Sequence, residues 1–166
     1  MPKKYIGKFL TFKFVGRKYD VSGVVLDYND DYTLIRNCND YLFDGYMIFR
    51  NLKVEFFQGD HEKRAMKILK LKKYLFKENL KINLGSLGQI FSYIDKKYGL
   101  IQLDNQKGDA SDVVKYLGQS GKVYLFNELT VDAKWRDELH LPEKQCRFIS
   151  FDNDYLKSLK LLGKIK

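Results

Sequence analysis

The chain has 166 residues and a mass of 19.6 kDa, room for one large or two small domains with cores of their own. Its 45% apolar and 15% aromatic content excludes bulk disorder, and 2 Cys with 2 His exclude a disulfide framework or a four-ligand Cys/His zinc site. The 30 Lys and Arg against 21 Asp and Glu give a net charge of +9, which calls for an anionic partner once that charge is located.

The charge is unevenly spread. Residues 1–60 carry 9 basic and 8 acidic groups, a net of +1. Residues 61–81 carry 8 basic and 2 acidic groups, a net of +6. Residues 82–154 are net −2, with 9 basic and 11 acidic groups, and residues 155–166 hold four lysines and no acid. Lys8 and Lys13 interrupt the N-terminal apolar run, so no signal-peptide core is expected. No segment approaches the roughly 18 apolar residues of a membrane-spanning helix. The reading is a cytoplasmic chain without membrane association, with Cys38 and Cys146 as reduced thiols in or near the core.

In chain order, Leu10, Phe12 and Phe14 alternate with Thr11 and Lys13, the period-two pattern of a half-buried strand. Gly16-Arg17-Lys18 reads as a turn, and Tyr19 to Tyr28 as a second strand that can bend at Gly23. Asn29-Asp30-Asp31 is turn chemistry. Tyr32 to Arg36 is the third strand, Asn37 to Asp40 a turn, and Gly45 to Arg50 and Lys53 to Phe57 complete five. Short strands with turns every 8–12 residues predict a small barrel or sandwich.

Residues 61–78 contain no Gly or Pro and place Ala65, Ile68, Leu69, Leu75 and Phe76 near one side of a helix, with Lys72 intruding on that side. Ser86-Leu87-Gly88-Gln89 has capping-box spacing; Leu87, Ile90, Phe91, Ile94 and Tyr98 then share one helical face, and Gly99 ends it. Strands follow at 100–105, 112–119, 122–131 and 145–151, with a shorter one at 136–141 and a hairpin turn at Gly121. Tyr155, Leu159 and Leu162 are helically spaced near the end.

The run from Gly23 through Val24-Val25-Leu26-Asp27-Tyr28-Asn29 to Thr33-Leu34, and the later Ile48-Phe49-Arg50-Asn51-Leu52-Lys53-Val54, resemble the two motifs of the Sm-like (LSm) small barrel. Residues 8–57 carry the resemblance. Three positions depart from the pattern: Asn29 stands for Asp, Thr33 for Asn and Asn51 for Gly. Gly16 also lies two residues farther from Gly23 than is usual. The resemblance implies a bent five-stranded barrel whose loops bind uridine or adenine bases and whose edge strands pair between copies into rings. Helix followed by strands in 86–162 allows a degenerate second copy.

Other chemistry has little support. Asp27-x-Asn29-x-Asp31 begins like a calcium loop, but Tyr32 and Cys38 occupy the positions that need Gly and Glu. Asp152-Asn153-Asp154 reads as a helix cap, Gly85-Ser86-Leu87-Gly88 lacks the Lys of a phosphate loop, and His61 and His140 have no certified catalytic partner. Trp135 reads as a packing anchor, with a base-stacking or partner contact as the alternative. Tyr and Phe interleaved with Lys and Arg fit a base-stacking surface, but they fit two aromatic β cores better.

The expectation is therefore a mainly β, α+β chain of two small five-stranded Sm-like barrels in tandem: a barrel in 1–60, a basic helical connector in 61–84, and a helix with a second barrel in 85–166. It is non-enzymatic and needs no cofactor or metal. The first partner to expect is single-stranded RNA, with Lys63, Arg64, Lys67, Lys70 and Lys73 on phosphates and Tyr28, Asn29, Tyr32 and Arg50 on bases. The alternative is an acidic protein met by the same surface, with no nucleic acid. Homo-oligomers through strand edges are compatible with either.

Overall fold

A computed structural model describes residues 3–74 and 80–164. The chain divides into two compact units, Met1–Lys81 and Ile82–Lys166. It is mainly β with three α-helices among the described residues. Leu75 and Phe76, expected to continue the first helix, lie outside the described residues.

In the first unit, β1 (Phe9–Phe14), β2 (Val21–Tyr28), β3 (Tyr32–Asn39), β4 (Leu42–Arg50) and β5 (Val54–Phe57) precede α1 (Asp60–Leu71). The strands are antiparallel in the order β5-β1-β2-β3-β4. The third strand outruns its expected end: Asn37 to Asn39 stay in the ladder past a bulge at Arg36/Cys38, and the reversal falls at Asp40 and Tyr41, both at positive φ. Gly23 is required where β2 meets β3, because a Cβ there would run into the Arg36 backbone carbonyl. A bulge at Val25/Asp27 adds to the bend. The expected half-buried alternation in β1 is incomplete. Leu10, Phe12 and Phe14 are buried, with the Phe12 and Phe14 rings edge-on to Phe49, yet Phe9 and Thr11 are buried as well. The reason is α1, whose Ala65 and Leu69 pack with Phe9, Val24 and Cys38 and cover that second face.

In the second unit, α2 (Leu87–Tyr98) precedes β6 (Ile101–Asp104), β7 (Ser111–Ser120), β8 (Val123–Leu129), β9 (Trp135–Pro142) and β10 (Phe148–Phe151), and α3 (Asp154–Gly163) closes the chain. The order is β10-β6-β7-β8-β9, so in each unit the fifth strand pairs with the first and the others follow in sequence. Ser86 caps α2 by accepting the Gln89 N–H, and Gly99 ends it at φ 77. Phe91 projects from α2 into an aromatic set, with ring centroids 5.5, 5.3 and 5.1 Å from Tyr116, Tyr124 and Phe126. The expected short strand at 136–141 is a full eight-residue edge strand.

Two expectations need correction. Among the described residues neither ladder closes: after β4 the turn at 51–53, with Lys53 at φ 45, swings β5 across to β1 and not to β4. The five strands of each unit form an open ladder and not a closed barrel. On α3 the inward side is Leu156 and Leu159, packed with Leu100, Val113 and Leu129, while Tyr155 and Leu162 are exposed. The Asn153 cap, accepting the Leu156 N–H, fixes where the helix starts and so rotates the face that was read from spacing.

Candidate functional site

Two groups of residues were singled out by sequence, and they lie on different elements. The first is the pole formed by the β2–β3 and β4–β5 turns. Asn29 Oδ1 accepts the N–H groups of Asp31 (2.9 Å) and Tyr32 (2.7 Å), making the tight turn. Asn51 joins the second turn to the first: its backbone N–H donates to Asp31 O, and its Nδ2 donates to Asn29 O at 2.9 Å. The Thr33 hydroxyl, fully buried, donates to Asn51 Oδ1 at 2.6 Å. Asn29, Thr33 and Asn51, the three departures from the motif, thus form one hydrogen-bond network. The Thr33 and Asn51 side chains bond each other, and Asn51 reaches the Asn29 backbone carbonyl.

Of the residues expected to contact bases, Tyr28 and Asn29 are half-buried, and the Asn29 Oδ1 is engaged by the turn. Tyr32 is 5% exposed, and Arg50, its neighbour across the β3–β4 ladder, lies over its ring at 6.0 Å. As placed, the Tyr32 ring belongs to the core and offers no stacking face. Asp27, Asp30 and Asp31 are exposed.

The second group sits on α1. Gly59 caps the helix, and Glu62 Oε2 accepts the Gly59 N–H at 2.7 Å. Glu62 is only 3% exposed, and its other oxygen accepts the Thr11 hydroxyl at 2.7 Å. Thr11 spends its proton there, so the Ser22 hydroxyl donates to Thr11 at 2.9 Å. Burial opposes the Glu62 charge, but the bonds from Thr11 and Gly59, with His61 alongside, outweigh it and hold the carboxyl below its usual range. With Glu62, Ala65 and Leu69 facing inward, Lys63, Arg64, Lys67 and Lys70 are all exposed on the other side. Lys63, Lys67 and Lys70 are spaced i, i+4, i+7, a stripe about 10 Å long. Lys63 has one weak partner, Asp60 at 3.5 Å, and both are well exposed. Lys73 follows past the helix end, exposed at φ 57. Lys72 is not part of the stripe, since its Nζ donates to Tyr41 O at 2.9 Å.

Other reactive groups are muted. Burial pushes the Cys38 thiol up to about 11, with the Lys72 charge and a Tyr41 backbone bond opposing more weakly, so the thiol stays protonated and unreactive near neutrality. A cleft of about 430 Å³ in the second unit is lined by Asp104, Asp109 and Asp112 beside Lys107. Among the described residues no three His, Cys, Asp or Glu side chains converge to hold a metal. Trp135 is 42% exposed on the edge strand β9, which corrects its reading as a packing anchor. Sequence reasoning also missed the cross-turn role of Asn51 and the buried role of Glu62. The Gly59-to-Glu62 spacing ahead of an apolar helix face was the signal for the latter.

Among the described residues, no helix is long and apolar enough to cross a membrane. Compared with known proteins, the chain matches no family model, no curated protein and no solved structure.

Proposed function

We propose that this is a non-enzymatic cytoplasmic protein of two open, Sm-like β units in tandem that binds single-stranded RNA. The observation that carries the reading is the exposed stripe of Lys63, Arg64, Lys67 and Lys70, held outward by the burial of Glu62, Ala65 and Leu69 on the opposite side of α1. The stripe supplies phosphate neutralisation, with Lys73 extending it. Tyr28, Asn29 and Arg50 supply base contacts at the β2–β3 and β4–β5 turns. The bend at Gly23 and the same strand course in both units support the Sm-like reading of each half. Self-association would use β5 and β9, strands that end their sheets. Binding of labelled poly-U, poly-A and a duplex at two salt concentrations tests the proposal. Neutralising four phosphates through α1 corresponds to a log–log salt slope of about −3 for a single strand. No binding at low salt overturns the reading.

A second reading is an acidic protein partner. It is favoured by the burial of Phe12, Phe49, Phe91, Phe126, Phe148 and Phe151, which takes these six rings out of any base-stacking surface. Retention on poly-glutamate with no affinity for poly-U separates the two.

A further inference from the structure

The two units repeat each other most closely at their ends. β5 begins at Val54 and α1 at Asp60; β10 begins at Phe148 and α3 at Asp154, so 148 against 54 and 154 against 60 are both 94 residues apart. The register holds along the helices. The third and sixth residues are buried in each: Glu62 and Ala65 in α1, Leu156 and Leu159 in α3. The fourth residue is an outward lysine in each, Lys63 and Lys157, and the eleventh position is again lysine, Lys70 and Lys164. Between them lie Lys67 in one and Lys160 in the other.

From this equivalence we infer that Lys157, Lys160 and Lys164 on α3 form a second phosphate-binding stripe, the counterpart in the second unit of the α1 stripe, taking the backbone of the same class of ligand, single-stranded RNA. The inference rests on the RNA-binding reading above. The three lysines are spaced i, i+3, i+7 and line, with Leu161, a shallow cleft of about 480 Å³. Leu161 is 81% exposed and gives this cleft an apolar contact suited to the face of a base or ribose. Lys157 pairs with Asp152 at 3.1 Å, a closer contact than that of Lys63 with Asp60 at 3.5 Å. No acid lies between residues 155 and 164, and the ion pair on Lys157 places the Asp152 carboxylate on the stripe. The unit that carries it is otherwise net negative, and the lysines concentrate attraction at one helix instead of spreading it.

The test measures poly-U affinity against salt in the full chain for the wild type, for K157A/K160A/K164A, for K63A/R64A/K67A/K70A, and for K157R/K160R/K164R. Removing three phosphate contacts is expected to make the salt slope shallower by about 2, and removing the four on α1 by about 3. The arginine variant keeps the charge and should bind as the wild type does; its failure to do so with an intact circular dichroism spectrum contradicts a phosphate-binding role. An unchanged slope in the α3 alanine variant, beside a loss in the α1 variant, overturns this inference and leaves the RNA reading standing. Loss in the α3 variant alone moves the site to α3 and overturns the assignment to α1. Sedimentation of the wild type with phosphatidylserine vesicles under conditions where poly-U does not bind overturns both.

Discussion

Glu62 gives the sharpest test of how the first unit is held together. Replacing it by Ala removes the acceptor of the Gly59 N–H and of the Thr11 hydroxyl in a site that is 3% exposed. A hydrogen bond to a charged group contributes about 1.5–3 kcal/mol, and a buried donor left alone costs about 1–3 kcal/mol. Thr11 can turn back to Ser22, 2.9 Å away, so part of its loss is recovered. Removing the charge also relieves its desolvation. The net expectation is a loss of about 2–3 kcal/mol, against the roughly 4–12 kcal/mol that a unit of about 80 residues is expected to have. E62Q keeps the shape and one acceptor and should lose about half as much. Because Trp135, the only tryptophan, lies in the second unit, fluorescence does not report on this site. Hydrogen exchange does, with amides of β1, β2 and α1 losing protection relative to those of β7 and β8 in the same chain. The pH arm follows from the lowered carboxyl. The Glu62 contribution is fully present above the unfolded value near 4.5 and is lost as pH falls through the lower folded value, so E62Q should flatten the acid limb of stability. A loss under about 0.5 kcal/mol for E62A, or an acid limb identical in E62Q, refutes the reasoning.

Three further outcomes follow from the geometry. Gly23→Ala drives a Cβ into the Arg36 carbonyl and should cost about 2 kcal/mol or more, seen as a drop of about 8 °C or more in Tm; an unchanged Tm would mean that the β2–β3 approach is not tight. Asn51→Ala should cost about 1–2 kcal/mol and speed exchange at the Tyr32 amide. Asn51→Asp should be worse than Ala, because it turns a carboxylate toward the Asn29 and Asp30 carbonyls. Iodoacetamide should label Cys38 slowly at pH 7, where only about one thiol in 10⁴ is ionised, and faster by tenfold per pH unit toward 11; fast labelling at neutrality contradicts its burial.

What could be read from sequence was local. Ser86, Gly99 and the apolar face between them specify α2 within a dozen residues, and Gly23 announces a bend that only a residue without Cβ allows. The strands of the first unit were legible because each alternation is self-contained. The Asn29–Thr33–Asn51 network was not, since its partners are 18 and 22 residues apart and become neighbours only once β3 and β4 pair. Phe9 and Thr11 looked outward until α1 covered them. On α3 the spacing of Tyr155, Leu159 and Leu162 suggested a face, but the rotation is set by Asn153 and by which leucine meets Leu129. The cations of α1 were legible as a charge run. Their common outward direction depends on Glu62, a charged residue that turns inward because Thr11 and Gly59 satisfy it.

The central claim is that affinity for a single-stranded polyanion runs through the outer side of α1. Fluorescence anisotropy of labelled poly-U against salt, for the wild type and for K63A/R64A/K67A/K70A, tests it most directly. The account predicts salt-dependent binding whose slope becomes shallower by about 3 in the variant. Absence of binding by the wild type at low salt, or a slope the four substitutions leave unchanged, contradicts it.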